Sequence, residues 1–474
     1  MGFLLFIEAG FMTLCTLLSV YYGEEDLTAF ILSTLITAGA GVPFVYFSRG
    51  AERKLNRRDG YIIVTFAWIA FSLFGMLPYY ISGYVPDVTN AFFETMSGFT
   101  TTGASILNNI ESLPHALLFW RSLTQWIGGM GIVIFTIAVL PIFGVGGIQL
   151  FAAEATGPKL DKVSPRISIT AKWIWSIYLG LTVAATAALA AGGMSLFDSV
   201  CHAMSTTATG GFSTRQGSIA AFHSSYIEYV VLVFMFLSGI NFSLLYLLFL
   251  KGRIKKLFRD TELKWYVSTV LFFTALITVG LVLTSPVGIE EAFRKASFLV
   301  VSLQTTCGFI TADYMQWAPP LWMLTTVITY CGACAGSTSG GIKCIRSVIM
   351  VRMAKNEFKH ILHPNAVLPI RVNGTAVSAV TKSTVLSFIV VFLLLVLTGW
   401  FLMMVFGVEF EESYSVVISS LANVGPGIGK CGPAFSWDAL PDAAKWLSAL
   451  LMLIGRLELF TVLLLFTPAF WKKI

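Results

Sequence analysis

Four places in the chain share one pattern. A short, mostly apolar run stops at small or hydroxylated residues and a glycine. The breaks read Phe99-Thr-Thr-Thr-Gly103-Ala, Thr206-Thr-Ala-Thr-Gly210-Gly, Thr305-Thr-Cys-Gly308-Phe and Ala422-Asn-Val-Gly425-Pro. The chemistry open to such residues is that of the backbone. A cation stripped of water needs its hydration shell replaced by oxygens, and four strands meeting on one axis supply rings of carbonyls. Carbonyls of successive residues that point the same way demand backbone angles a Cβ opposes, hence glycine. Each run ends a short helix, whose negative C-terminal dipole end would face the ion. Acids near the outer face, Asp87, Glu290, Glu291 and Glu409, are expected to raise the local cation concentration.

The spacing makes the pattern a repeat. Gly103 and Gly210 are 107 residues apart, Gly210 and Gly308 are 98, and Gly308 and Gly425 are 117. Between the breaks lie stretches of about 20 apolar residues, the length that crosses a bilayer as a helix. Ten such candidates fall near 2–22, 27–47, 60–82, 115–142, 173–193, 224–250, 265–284, 319–342, 383–407 and 443–467. The four segments that carry the breaks, 88–104, 194–211, 288–309 and 409–427, hold apolar runs too short to cross. Backbone that enters a membrane and returns extended is tolerated only where protein or a water-filled cavity surrounds it. The expected fold is an all-α membrane protein with ten transmembrane helices and four re-entrant pore helices. It divides into two extra N-terminal helices (1–59) and four repeats, 60–171, 172–263, 264–378 and 379–474. Each repeat has an even number of crossings, so the four run parallel around one pore.

Composition and charge agree with this reading. Of 474 residues 56% are hydrophobic and only 12% charged, against about 25% in soluble domains. That excludes a disordered chain, a coiled coil and a typical cytosolic enzyme. The net charge of +6 does not imply nucleic acid, because the basic residues cluster between apolar runs. The loops 48–59, 143–172, 251–264 and 343–382 and the C-terminal tail hold 24 of the 31 Lys and Arg. By the positive-inside rule both termini are cytoplasmic. The seven cysteines lie mostly in apolar or glycine-rich segments and make no disulfide framework. Cys331 and Cys334 form a CxxC without the second pair a zinc ribbon needs. The N-terminus has no basic region and no cleavage site, and is expected to be a retained helix. No phosphate loop or complete dinucleotide fingerprint occurs, so no organic cofactor is expected in this chain.

On these residues and this repeat the sequence resembles the TrkH/TrkG/KtrB/HKT superfamily of potassium transport proteins across nearly its whole length. The two extra N-terminal helices bring it nearer the TrkH branch. The resemblance implies a single-chain counterpart of a tetrameric potassium channel, in a bacterial cytoplasmic membrane, assembled as a homodimer. It implies a filter that binds potassium at Thr101, Thr102 and Gly103, at Ala208, Thr209 and Gly210, at Thr306, Cys307 and Gly308, and at Asn423, Val424 and Gly425. A serine replaces the first glycine in sodium-favouring plant relatives, so Gly103 implies potassium. No segment spells the TVGYG of potassium channels, which implies fewer ordered carbonyl rings. The partners implied are membrane lipid and a cytoplasmic TrkA-type subunit that binds nucleotides.

Two further features bear on a gated path. Cys331-Gly-Ala-Cys-Ala-Gly-Ser-Thr-Ser-Gly-Gly341 has no side chain larger than Thr or Cys. Glycine costs about 1 kcal/mol against alanine in a helix, so an unwound intramembrane loop is expected, with close small-residue packing the alternative. The second is Arg456, mid-span, at a depth where a charge costs about 2.5–3.5 kcal/mol. Glu458 is a poor partner for it, since i and i+2 do not share a helix face. The resemblance makes Gly332, Gly336, Gly340 and Gly341 with Arg456 the gate. Elsewhere, Glu8 is expected to make a helix-packing contact and Arg121 and Glu228 to snorkel from span ends. Gln125 and Asn241 are expected to bond between helices, and His360 and His363 to meet solvent or a partner. A potassium symporter coupled to proton or sodium is the competing function. An intramembrane enzyme is disfavoured, because the inferred spans hold no aspartate and only Glu8, Glu228 and Glu458 as acids.

Overall fold

The computed structural model describes residues 1–47, 57–134, 167–249, 252, 254–433 and 435–472. Of the basic loops expected at 48–59 and 143–172, residues 48–56 and 143–166 lie outside the described residues, as does the end of the candidate span 115–142. Among the described residues nearly everything regular is helix. One two-stranded antiparallel hairpin pairs Arg371–Val372 with Thr375–Ala376.

Gly2–Tyr22 and Leu27–Phe47 form an N-terminal pair. Gly23, at φ 67°, ends the first helix, and Ser19 donates to Asp26 across the turn at 2.6 Å. Small residues let the two backbones approach: a Cβ at Gly2 would lie 2.5 Å from the carbonyl oxygen of Gly41. Among the described residues six helices are long and apolar enough to cross a membrane, and up to eight if each of two bent pairs counts once. The bent pairs are Ser225–Ser238 with Phe242–Phe249, at 104°, and Asp442–Arg456 with Phe460–Phe466, at 111°. His115–Ile134 and Pro319–Tyr330 occupy the two remaining candidate positions.

The candidate span 319–342 is not one helix. It stops at Tyr330, runs non-helical through 331–343, and resumes as Cys344–Leu362. The second helix was expected as loop, because its charges hide it from a search for apolar spans; its first turns, with Cys344, Ile345, Val348 and Ile349, are buried.

Four short helices lie inside the bundle: Val88–Phe99, Leu196–Ala208, Ile289–Gln304 and Phe410–Ala422. At 12 to 16 residues and about 1.5 Å per residue, none reaches the roughly 30 Å of a hydrocarbon core. Asp87 and Ser195 cap the first two, accepting from the backbone N–H of Asn90 and Asp198. The last two turns of each are buried on every side, serines and threonines included. Protein therefore surrounds them, as re-entrant backbone requires.

Candidate functional site

All four short helices end in the same way. The residues after the last turn, Thr101, Thr209, Thr306 and Asn423, are left-handed, with φ of 52°, 54°, 57° and 56°. Each begins a Schellman closure. The N–H groups of Thr102, Gly210, Cys307 and Val424 donate back to the carbonyls of Ser97, Ser205, Ser302 and Ser419 at 2.8–3.0 Å. Two residues beyond each left-handed position lies a glycine with positive φ: Gly103 (83°), Gly211 (79°), Gly308 (84°) and Gly425 (101°).

This corrects the register of the second segment. The trio equivalent to Thr101-Thr102-Gly103 is Thr209-Gly210-Gly211, one residue later than Ala208-Thr209-Gly210. Ala208 is the last helical residue. Gly210 packs on the Gln125 side chain, which donates to the Gly210 carbonyl at 2.7 Å and accepts from the Phe212 N–H at 3.0 Å. Two adjacent glycines leave the register open in a one-dimensional reading. The serine six residues before each glycine, at 97, 205, 302 and 419, is the signal that selects Gly211.

The four segments close on one another. A Cβ at Gly103 would overlap the carbonyl oxygen of Gly210, and one at Gly211 that of Cys307. One at Gly308 would overlap that of Val424, and one at Gly425 would lie 2.6 Å from that of Thr102. Each glycine thus abuts the carbonyl of the next segment, in cyclic order, and the fourth returns to the first. At these positions φ forbids an ordinary side chain and the space forbids even a methyl group. A cavity is lined by Gly103, Gly211, Gly308 and Gly425 together with Arg121 and Arg215.

The expected outer acids do not line that cavity. Asp87 caps its helix, Glu290 and Glu291 accept from Arg294 and Lys295, and Glu409 pairs with Lys430. Arg121 does not snorkel. It is 1% exposed because its helix faces the first short helix, where it meets Glu94 at 2.9 Å. It also donates to the Ser213 carbonyl at 2.9 Å and to Ser105 at 3.2 Å. Glu94 in turn accepts from the Ile106 N–H at 3.0 Å. The pair ties the segments that follow Gly103 and Gly211 to one helix. Glu228 is also buried, paired with Arg294 at 2.6 Å.

On the other side, the 331–343 loop meets the residues that precede the glycines. The N–H of Gly340 donates to Thr306 Oγ1 at 2.7 Å, and Thr209 donates to Thr338 Oγ1 at 3.1 Å. A Cβ at Gly340 would overlap the Ala422 carbonyl, so glycine is what lets the loop reach this close. Gly332 donates to the Ile342 carbonyl at 2.9 Å across the neck, while Gly341 lies against Gly332. Gly336 packs on Asn241, which accepts from the Ser243 N–H at 2.8 Å to start the second half of a bent pair. Arg456 is the last residue of its helix, at the 111° bend in the middle of the second broken pair. It donates to the carbonyls of Thr338 at 2.8 Å and Gly128 at 3.1 Å. Glu458 bonds Arg346 instead, at 2.5 Å.

Glu8 is 2% exposed beside Gly75, while His360 and His363 are exposed. Among the described residues, no cluster of three His, Cys, Asp or Glu could hold a metal ion. The arrangement brings together four glycine-bearing segments, a cavity at one end and a glycine-rich loop with a buried arginine at the other.

Known proteins resemble this chain over nearly its whole length. A profile of the TrkH family, described as a cation transport protein, matches residues 28–473. The chain is 38% identical over 475 residues to the Trk system potassium uptake protein TrkH of Halomonas elongata, covering 100% of this chain and 98% of that one. It is 34% identical over 480 residues to the Trk system potassium uptake protein TrkG of Escherichia coli, covering 100% and 97%. The crystal structure of the potassium transporter TrkH from Vibrio parahaemolyticus superposes with a TM-score of 0.91 at 34% identity, covering 99% of this chain and 98% of that one.

Proposed function

This chain belongs to the TrkH family of cation transport proteins, which are transporters and not enzymes, and we propose that it takes up potassium. The ion passes a filter made by Thr101-Thr102-Gly103, Thr209-Gly210-Gly211, Thr306-Cys307-Gly308 and Asn423-Val424-Gly425. The observation that carries this reading is the cyclic closure of four positive-φ glycines on their neighbours' carbonyls. It is the geometry in which backbone oxygens replace a cation's water. The four C-terminal helix ends at the filter add negative potential there.

The gate is the 331–343 loop with Gly332, Gly336, Gly340 and Gly341. Its Thr338–Gly340 stretch lies under the filter, and the Arg456 guanidinium beside it opposes a cation by charge. The molecule is a multi-pass protein of the bacterial cytoplasmic membrane. It has ten spans and four pore helices, with two N-terminal helices (1–59) and repeats at 60–171, 172–263, 264–378 and 379–474. Both termini are cytoplasmic. It works as a homodimer in membrane lipid with a TrkA-type nucleotide-binding subunit on the inside face.

The test is a current across a planar bilayer holding the purified protein, with potassium and sodium gradients varied independently. A reversal potential that follows potassium alone supports the proposal. Equal response to both ions sinks the filter assignment, and a reversal potential that shifts with a proton or sodium gradient makes the protein a coupled symporter.

A further inference from the structure

Glu262, in the first turn of the helix Thr261–Thr284, is 1% exposed, and its partners are on the gate loop. One oxygen, Oε1, accepts from the N–H of Ala335 at 2.6 Å and from the N–H of Ile345 at 3.1 Å. These donors stand ten residues apart and flank the stretch that reaches the filter. Below them the loop closes on itself. Gly332 donates to the Ile342 carbonyl at 2.9 Å, and Cys344 to the Ala333 carbonyl at 3.0 Å. The neck is thus tied by its own backbone and by one carboxylate from another helix.

A carboxyl group is costly to bury unless it is hydrogen-bonded. The unwound loop supplies the reason for this one. The N–H groups of Ala335 and Ile345 have no helical partner, and both residues are buried away from water. A carboxyl oxygen carries two lone pairs, so Oε1 can answer both donors at once. The position of the carboxylate is itself held. Asp260 caps the helix by accepting from the Leu263 N–H at 2.8 Å. Asn373, from the Arg371–Ala376 hairpin, donates to Asp260 at 2.8 Å and accepts from the Thr261 N–H at 2.7 Å. Lys343 is buried nearby but bonds Ser339.

We propose that Glu262 is the positioning residue of the gate: it clasps the two ends of the loop and so holds Thr338–Gly340 beneath the filter. This rests on the gate reading above. Release of the clasp frees the middle of the loop to withdraw while the filter stays intact, so conduction rises without a change in ion preference.

The test uses full-length protein in liposomes without a cytoplasmic partner. Wild type, Glu262→Ala, Glu262→Gln and a variant lacking residues 337–339 are compared for potassium flux and for the potassium-to-sodium ratio. Modification of Cys334, the buried neighbour of Ala335, by a small thiol reagent is read by peptide mass mapping. The 337–339 deletion and Glu262→Ala are expected to raise flux at least tenfold. Glu262→Gln, which keeps one acceptor oxygen and replaces the other with an amide, is expected to fall between, and all should keep the wild-type ratio. Cys334 should react at least tenfold faster in both Glu262 variants.

If the deletion raises flux while the Glu262 variants keep wild-type flux and a protected Cys334, the clasp is overturned and the gate stands. If the deletion leaves flux unchanged, the gate reading fails and the clasp with it. If the Glu262 variants lose flux and selectivity together, Glu262 supports the filter and not the gate. Should Glu262→Ala not elute as a single species, Glu262→Gln decides alone.

Discussion

A guanidinium that is 1% exposed needs its donors answered, and Arg121 answers them with Glu94, Ser105 and the Ser213 carbonyl. Removing one partner of a buried pair leaves the other uncompensated, at about 3–5 kcal/mol. Arg121→Met is therefore expected to lower thermal stability in detergent sharply, and Arg121→Met with Glu94→Leu to recover part of it. A double variant no more stable than the single one would mean the pair's role is not charge compensation. At the filter, Gly211 stands at φ 79° against the Cys307 carbonyl. A side chain there meets the left-handed penalty of about 1–2 kcal/mol and a collision. Gly211→Ser is expected to abolish the preference for potassium in reversal-potential measurements; retained preference would remove Gly211 from the filter. Gly103→Ser, at φ 83° against the Gly210 carbonyl, is expected to weaken that preference in the same assay.

Among elements, the short helices act through where they stop. Their four Schellman closures place Thr101, Thr209, Thr306 and Asn423 alike. Gly103, Gly211, Gly308 and Gly425 consequently fall on one ring. The middle of the loop is positioned twice, by Thr338–Gly340 against the short helices and by Arg456, at the bend of the last helix pair, on Thr338. Arg456 donates to the loop carbonyl of Thr338 as well as carrying charge. Arg456→Gln retains donors and loses the charge, whereas Arg456→Ala loses both. Potassium flux without a partner subunit is expected to rise several-fold in Arg456→Gln and further in Arg456→Ala. Equal flux in the two would assign the effect to charge alone. The helix Cys344–Leu362 starts where the loop ends.

At the scale of the molecule, the proposed topology has both termini on the side of the basic loops. Tags at the two ends are expected to be cleaved together in inside-out vesicles and protected together in right-side-out ones; opposite behaviour would change the number of crossings. The membrane setting and the four glycine breaks were legible in one dimension. Apolar length and the run of small residues are local properties, as is the glycine that a positive φ demands. The family follows from the same residues. The second segment's register rests in one dimension on Ser205 alone, because Gly210 and Gly211 are equivalent in composition. In the fold the Gln125 side chain, 85 residues from Gly210, and the Cys307 carbonyl against Gly211 distinguish them. Arg121 was misplaced because Ser213 lies 92 residues away. Depth along a span says nothing about which face meets protein. The sequence by itself determined a membrane protein with four filter-like breaks and a buried charge near a glycine-rich loop. The tertiary structure decided which atoms meet: the ring of glycines and carbonyls, the turn at Arg456 and the Glu262 clasp. Each of these is a contact between distant segments, and contacts of that kind exist only once the chain has packed.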